Sequence, residues 1–153
     1  MAEIFTLGYE GTNALQFMRV LQARSIDTLV DVREMPLSRK PGFSKNALAE
    51  ACENASITYE HWHALGCPKD IRASYKMDGD WDKYTRRFRK HLPSIADVLE
   101  ELTARALTER ICLVCFEADP HMCHRSYVSQ AVSELGPIQV VHLTTTGLTA
   151  VPR

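Results

Sequence analysis

Several features are missing from this sequence, and each absence narrows the field. No segment approaches the roughly 18 consecutive apolar residues needed to span a bilayer. The amino-terminal stretch MAEIFTLGYEG has no positive charges leading into a long apolar run, so it does not read as a secretion signal. A cytoplasmic protein with no membrane contact is expected. Cysteine is sparse and odd in number: Cys52, Cys67, Cys112, Cys115 and Cys123 show no paired spacing of a disulfide scaffold. Free thiols in a reducing compartment are the expectation. Positive charge is not in excess either, since 18 Lys and Arg face 19 Asp and Glu for a formal net charge of −1. That removes the strong overall field of a histone-like binder, so any basic site must be local. Internal repeats and low-complexity tracts are absent. What remains, 153 residues that are 45% hydrophobic and 24% charged, suits one core and therefore a single domain over 1–153.

Short β-prone runs alternate with helical patterns along the chain. Ile4–Leu7 reads as a strand that ends in the glycine-bearing turn Gly8-Tyr9-Glu10-Gly11. A helix capped by Thr12 or Asn13 follows, with Leu15, Met18, Val20 and Leu21 on its apolar face. Thr28–Val32 is a second buried strand, and strand, helix, strand in this order predicts parallel strands lying side by side. A loop with Pro36, Pro41 and Gly42 leads to a helix capped by Ser44 and running to about Asn54. Ile57–Tyr59 reads as a short strand and His61 to Asp80 as irregular. Trp81 to Leu92 is a basic amphipathic helix, with Trp81, Tyr84 and Phe88 at helical spacing and Lys83, Arg86, Arg87 and Lys90 on other faces. Past Pro93, the residues Ile95, Val98, Leu99, Leu102 and Ala106 form another helical stripe. Arg110–Cys115 is the clearest strand pattern; a helix capped by Asp119 with Pro120 in its first position follows it, and Ile138–Leu143 is the last strand. The order predicts a three-layer, Rossmann-like α/β fold: a mainly parallel sheet of about five strands with helices on both faces.

In such sheets ligands bind beyond the carboxyl ends of the strands. Three loops qualify here, and they hold the candidate site residues. The first carries Gly8 and Tyr9, the second Asp31, Arg33, Ser38, Arg39 and Phe43, and the third Cys115, Glu117, Cys123, His124 and Arg125.

Four segments carry a likeness to a known family: TLGYEG at 6–11, LVDVREMPLSRKPGFSK at 29–45, ITYEHWHALGCPKDIR at 57–72 and LVCFEADPHMCHRS at 113–126. Together, and in order over nearly the whole chain, they resemble the domain of unknown function 488 family. The resemblance implies an α/β fold and, as motif residues, Gly8, Asp31, Arg33, Pro36, Ser38, Phe43, Leu65, Gly66, Cys115, Glu117, Asp119, Cys123, His124 and Arg125. That family brings no settled activity with it, so the reaction has to be argued from the residues.

Asp31 and Arg33, two apart at a strand end, point to the same side. Either Arg33 holds an anionic substrate group while Asp31 orients it, or the two form an ion pair that ties the loop to the sheet. Ser38, Arg39 and Lys40 add donors, and Gly42-Phe43-Ser44 opens a helix whose amides can meet an anion. Cys115 reads as a nucleophile or as a small buried hydrophobe, and Cys123 as a thiol activated in the first turns of a helix beside His124 and Arg125. A metal reading would gather Cys115, Cys123, His121 and His124 with Glu117 or Asp119. No metal is assigned, because Cys112 and Cys115 fall on opposite faces of a strand and no second ligand pair supports them. The Asp-x-Arg strand and strand-end cysteine are also similar to rhodanese-like sulfurtransferases, but Glu117 and Asp119 would repel a persulfide. The basic helix reads as a nucleic-acid contact or as a solvated face.

The expected function is a small enzyme acting on a phosphate-bearing substrate, a nucleotide or nucleic acid. In it Arg33, Arg39 and Arg125 would neutralise the anion, Glu117 or Asp31 would move protons, and Cys115 or Cys123 would be the nucleophile. The alternative is a non-catalytic nucleic-acid-binding or regulatory module. No cofactor and no oligomeric state are assigned.

Overall fold

The computed structural model describes residues 1–145 together with 150 and 151. Five parallel strands form the sheet: β1 (Ala2–Gly8), β2 (Thr28–Asp31), β3 (Thr58–His61), β4 (Ile111–Cys115) and β5 (Ile138–Leu143). A two-residue strand β6 (Ala150–Val151) pairs antiparallel with β5, and the spatial order is β3-β2-β4-β1-β5-β6. The expected side-by-side placement of β1 and β2 is corrected, because β4 lies between them. A central strand is covered on both faces and wants an unbroken apolar run. The sequence ICLVC of β4 supplies one, and all five of its residues are buried.

Helices cover both faces. On one, α1 (Ala14–Ala23) and α2 (Lys45–Asn54) pack Phe17, Leu21, Leu48 and Cys52 against Phe5, Leu29 and Cys112. On the other, α3 (Lys69–Asp78), α4 (Trp81–His91), α5 (Ala96–Ala106) and α6 (Arg125–Leu135) pack against Ile4, Val30 and Leu113. Cys112 and Cys115 belong to opposite cores, as strand alternation requires.

Local boundaries follow side-chain chemistry. Asn13, and not Thr12, caps α1 by accepting from the Gln16 amide. Ser44 occupies the cap position of α2 without bonding to it; its hydroxyl instead bonds Ser38 across the loop. The region expected to be irregular contains α3, which starts after Pro68 and stops at Gly79 in the left-handed conformation, φ 63°. After β4, Asp119 and Pro120 open only a 3-10 turn, Pro120–Met122. Cys123 is extended, with φ −144° and ψ 143°, and α6 begins at Arg125. Cys123 therefore precedes the helix instead of lying within it. Among the described residues, no helix is long and apolar enough to cross a membrane.

Strand register levels the carboxyl ends: Gly8 pairs with Cys115, and Asp31 with Val114. The chain leaves β1 toward α1 on one face and leaves β4 toward α6 on the other. Adjacent loops diverging in this way open a crevice at the end of the sheet.

Candidate functional site

A cavity of about 500 Å³ occupies that crevice. Tyr9 comes from the first loop, Arg33 and Ser38 from the second, and Cys115, Glu117, Cys123 and His124 from the third. The facing wall is Cys67, Arg72, Tyr75, Lys76, Trp81 and Tyr84, from α3, α4 and the segment before them. Most of that wall went unassigned in the sequence, because the stretch holding it reads as irregular. The four-residue spacing of Ile71 and Tyr75 in α3 was the available signal. Of the remaining sequence candidates, Gly8, Asp31, Phe43 and Arg125 are buried beside or beneath the cavity, and Arg39 is exposed outside its lining.

Asp31 and Arg33 form a bidentate ion pair. Arg33 donates from Nε to Asp31 Oδ1 at 2.8 Å and from Nη2 to Oδ2 at 2.7 Å, and its backbone amide also reaches Oδ1. Nη1 donates to the Phe43 carbonyl at 2.7 Å and to the Tyr9 hydroxyl at 3.1 Å. Burial works against this cation, but the bonds and charge of Asp31 outweigh it and hold the guanidinium above its ordinary pKa. Arg33 thus has its donors committed within the protein. Tyr9 stacks on Phe43 at 4.5 Å and meets Phe116 edge-on at 5.4 Å, so the pair also fixes an aromatic wall.

The third loop is organised by Arg125, which is fully buried. Its Nη1 donates to the Glu117 carbonyl at 2.6 Å and lies 3.0 Å from Cys115 Sγ, while Nη2 donates to the Ala118 carbonyl. Burial pulls the guanidinium down to about 10, well above neutral pH, so it stays a cation against the sulfur. On the cavity side, Cys115 Sγ is 3.6 Å from Glu117 Oε2. Burial pushes the Glu117 carboxyl above its usual range. The loop turns carbonyls toward Arg125, and the Ala118 amide is taken by Glu10. A persulfide cradle needs inward amides, and the Ala118 amide is not available to one.

His124 is buried, with Nε2 at 2.8 Å from the Val32 carbonyl and Nδ1 at 3.8 Å from Cys123 Sγ. A carbonyl only accepts, so Nε2 carries the proton and Nδ1 offers its lone pair to Cys123. Burial lowers the imidazole pKa to about 4. The unfolded chain, with an ordinary histidine, takes up the proton first as pH falls. The stabilising contribution of neutral His124 is therefore present above about pH 6.5 and lost toward pH 4, a change of about 3 kcal/mol. Urea unfolding across that interval should show the loss, and His124→Gln should flatten it; an unchanged slope in the variant would contradict the assignment.

Cys115 and Cys123 bring their sulfurs into direct contact, with Cα atoms 7.6 Å apart, wider than a disulfide ordinarily spans. Cys52, Cys67 and Cys112 are free and buried, and burial pushes the Cys67 and Cys52 thiols up to about 11 and about 12. They remain protonated and inert. Among the described residues, one group has metal-ligand proximity: Cys115, Glu117 and Cys123, whose donor atoms lie within 4.8 Å of one another. His121 is exposed and is not part of it.

Neither the curated proteins nor the solved structures provide a match to the chain. The profile of the family described as Domain of unknown function DUF488 matches residues 13–132, which span everything from the cap of α1 to Val132 in α6 and so include the second and third loops of the site. The chain belongs to the DUF488 family.

Proposed function

We propose that the chain is a cysteine-dependent enzyme acting on a phosphate-bearing substrate with a planar ring system, of the nucleotide class. The observation that carries this reading is the arrangement at Cys115: a buried guanidinium 3.0 Å from its sulfur and a carboxyl 3.6 Å away, on the wall of a cavity of about 500 Å³. That volume is in the range of small-molecule sites. Glu117 takes the thiol proton, Arg125 offsets the charge of the thiolate, and Glu117 returns the proton to the leaving group. The ring wall suits a flat ligand: Trp81 stacks on Tyr84 at 4.3 Å, and Tyr75 meets Trp81 at 5.3 Å. Ser38, Arg72 and Lys76 face the same space and supply donors for a phosphate. Arg72 also pairs with Glu34, which leaves Lys76 as the more available cation.

The test uses reduced protein in a thermal-shift screen of nucleotides and phosphosugars, followed by turnover assays on whatever binds. Cys115→Ser should abolish turnover and Glu117→Gln should lower it by about 10²-fold, with the thermal shift retained in both. Glu117→Gln also removes a carboxylate whose burial is unfavourable at neutral pH, so it should fold at least as stably as the parent. A second reading, a non-catalytic nucleic-acid-binding module, is favoured by the exposed Arg86, Arg89 and Lys90 on α4. Oligonucleotide binding that weakens with salt, is unchanged in both variants and is accompanied by no turnover would support it over the enzyme.

A further inference from the structure

We propose that Cys115 and Cys123 are a catalytic dithiol–disulfide couple that exchanges with the disulfides of small thiols. This activity goes beyond the phosphate-bearing substrate above and does not require it. The structure places the two sulfurs against one another, across a sequence separation of eight.

A permanent bridge here would be poorly placed as a staple. Cross-links that stabilise by restricting the unfolded chain gain most from long loops, and this loop is short. It is also already anchored: Arg125 holds the Glu117 and Ala118 carbonyls, and the Tyr9 and Glu10 amides donate to the Cys115 and Phe116 carbonyls. Both sulfurs line the cavity, and one residue serves both. The Arg125 guanidinium lies 3.0 Å from Cys115 Sγ, and its backbone amide donates to Cys123 Sγ at 3.4 Å. Contacts of this kind stabilise thiolates and hence the reduced state, which makes a disulfide exchangeable. The other three cysteines are buried away from the cavity or protonated within its wall, so they do not compete.

The chemistry balances without any further reactant. In the reduced chain the Cys115 thiol passes its proton to Glu117, and the thiolate attacks one sulfur of R–S–S–R. A Cys115–S–R bond forms, the substrate S–S bond breaks, and RS⁻ leaves with the proton from Glu117. Cys123 then gives its proton to Glu117, a carboxylate again after the first step and within 4.8 Å, and attacks the Cys115 sulfur. The Cys115–Cys123 bond forms, the mixed disulfide breaks, and the second RS⁻ leaves with that proton. Two electrons pass from the protein to the substrate and two RSH are released; the reverse, with two small thiols, restores the dithiol. While the bridge is closed Cys115 has no free lone-pair thiolate, so the same couple decides when the cavity can support nucleophilic attack.

The experiment equilibrates the full chain with mixtures of reduced and oxidised glutathione, quenches in acid, and maps thiols by alkylation and mass spectrometry. Two thiols should be lost and regained reversibly, linked as Cys115–Cys123. Rapid quenching of the parent protein should catch a transient glutathione adduct on Cys115, a readout that needs no variant to fold. Cys123→Ser should trap that adduct, whereas Cys115→Ser should form one on Cys123 about tenfold more slowly. Adducts that persist on Cys115 in the parent, or equal rates at the two cysteines, would overturn the assignment. So would a reduced chain that retains one zinc through gel filtration and shields both thiols until a chelator is added, which would make the pair a metal site. None of these readouts involves turnover of a phosphate-bearing substrate, so failure here and failure of the proposed function are separable.

Discussion

Asp31→Ala should cost the folded protein about 3–5 kcal/mol, measured by urea unfolding, because it strands a buried cation. The Asp31 carboxylate is completely buried and accepts four hydrogen bonds, three from Arg33 and one from the Tyr59 hydroxyl at 2.5 Å. Without it the Arg33 guanidinium, itself only 7% exposed, retains the Phe43 carbonyl and the Tyr9 hydroxyl but no counter-charge. Replacing both partners, as Asp31→Leu with Arg33→Met, should recover much of the loss, since no charge is then buried. If the single variant unfolds at the same urea concentration as the parent, the pair does not hold the second loop in place. The result also bears on function: an Arg33 that is committed to Asp31 anchors the Tyr9 wall and leaves the cavity's phosphate contacts to other cations.

Gly8→Ala should be the most damaging single-methyl change at the site. A Cβ at this position would stand 1.8 Å from the Glu117 carbonyl oxygen and 2.5 Å from its carbon. Both are backbone atoms, so no rotamer change relieves the clash and the third loop has to move. Overpacking of this sort costs about 3 kcal/mol at its upper range. The displaced carbonyl is the one that accepts from Arg125 Nη1 at 2.6 Å, so the guanidinium shifts relative to Cys115. A misplacement of about 1 Å at a reacting group lowers turnover by about 10²-fold. Thermal unfolding and the rate of Cys115 modification in the reduced protein should change together. Loss of stability with an unaltered Cys115 rate would place the strain elsewhere.

Gly8 also illustrates how a residue type can be legible while its reason is not. A glycine at a strand end reads as a turn. Its backbone is extended, and the constraint is the close approach of the loop after β4, 109 positions further along, which no local pattern encodes. Cys123 is the converse case. Asp119 and Pro120 are good helix-start residues, and a helix from there would put Cys123 in its first turns. Tertiary contacts restart the helix later, with His124 turned onto the Val32 carbonyl and Arg125 drawn into the β4 loop.

Hydrophobic periodicity alone determined the alternation of strands and helices, the mainly parallel sheet and the three loops at its carboxyl end, because burial imposes a period of two or 3.6 on the residues that form each element. The order of strands was decided only in three dimensions: β4 takes the central slot between β1 and β2 since both of its faces are apolar. The facing wall from α3 and α4, the commitment of Arg33 to Asp31 and the meeting of the Cys115 and Cys123 sulfurs were likewise decided there. Each depends on which groups meet across the fold, and the sequence lists those groups without listing their distances.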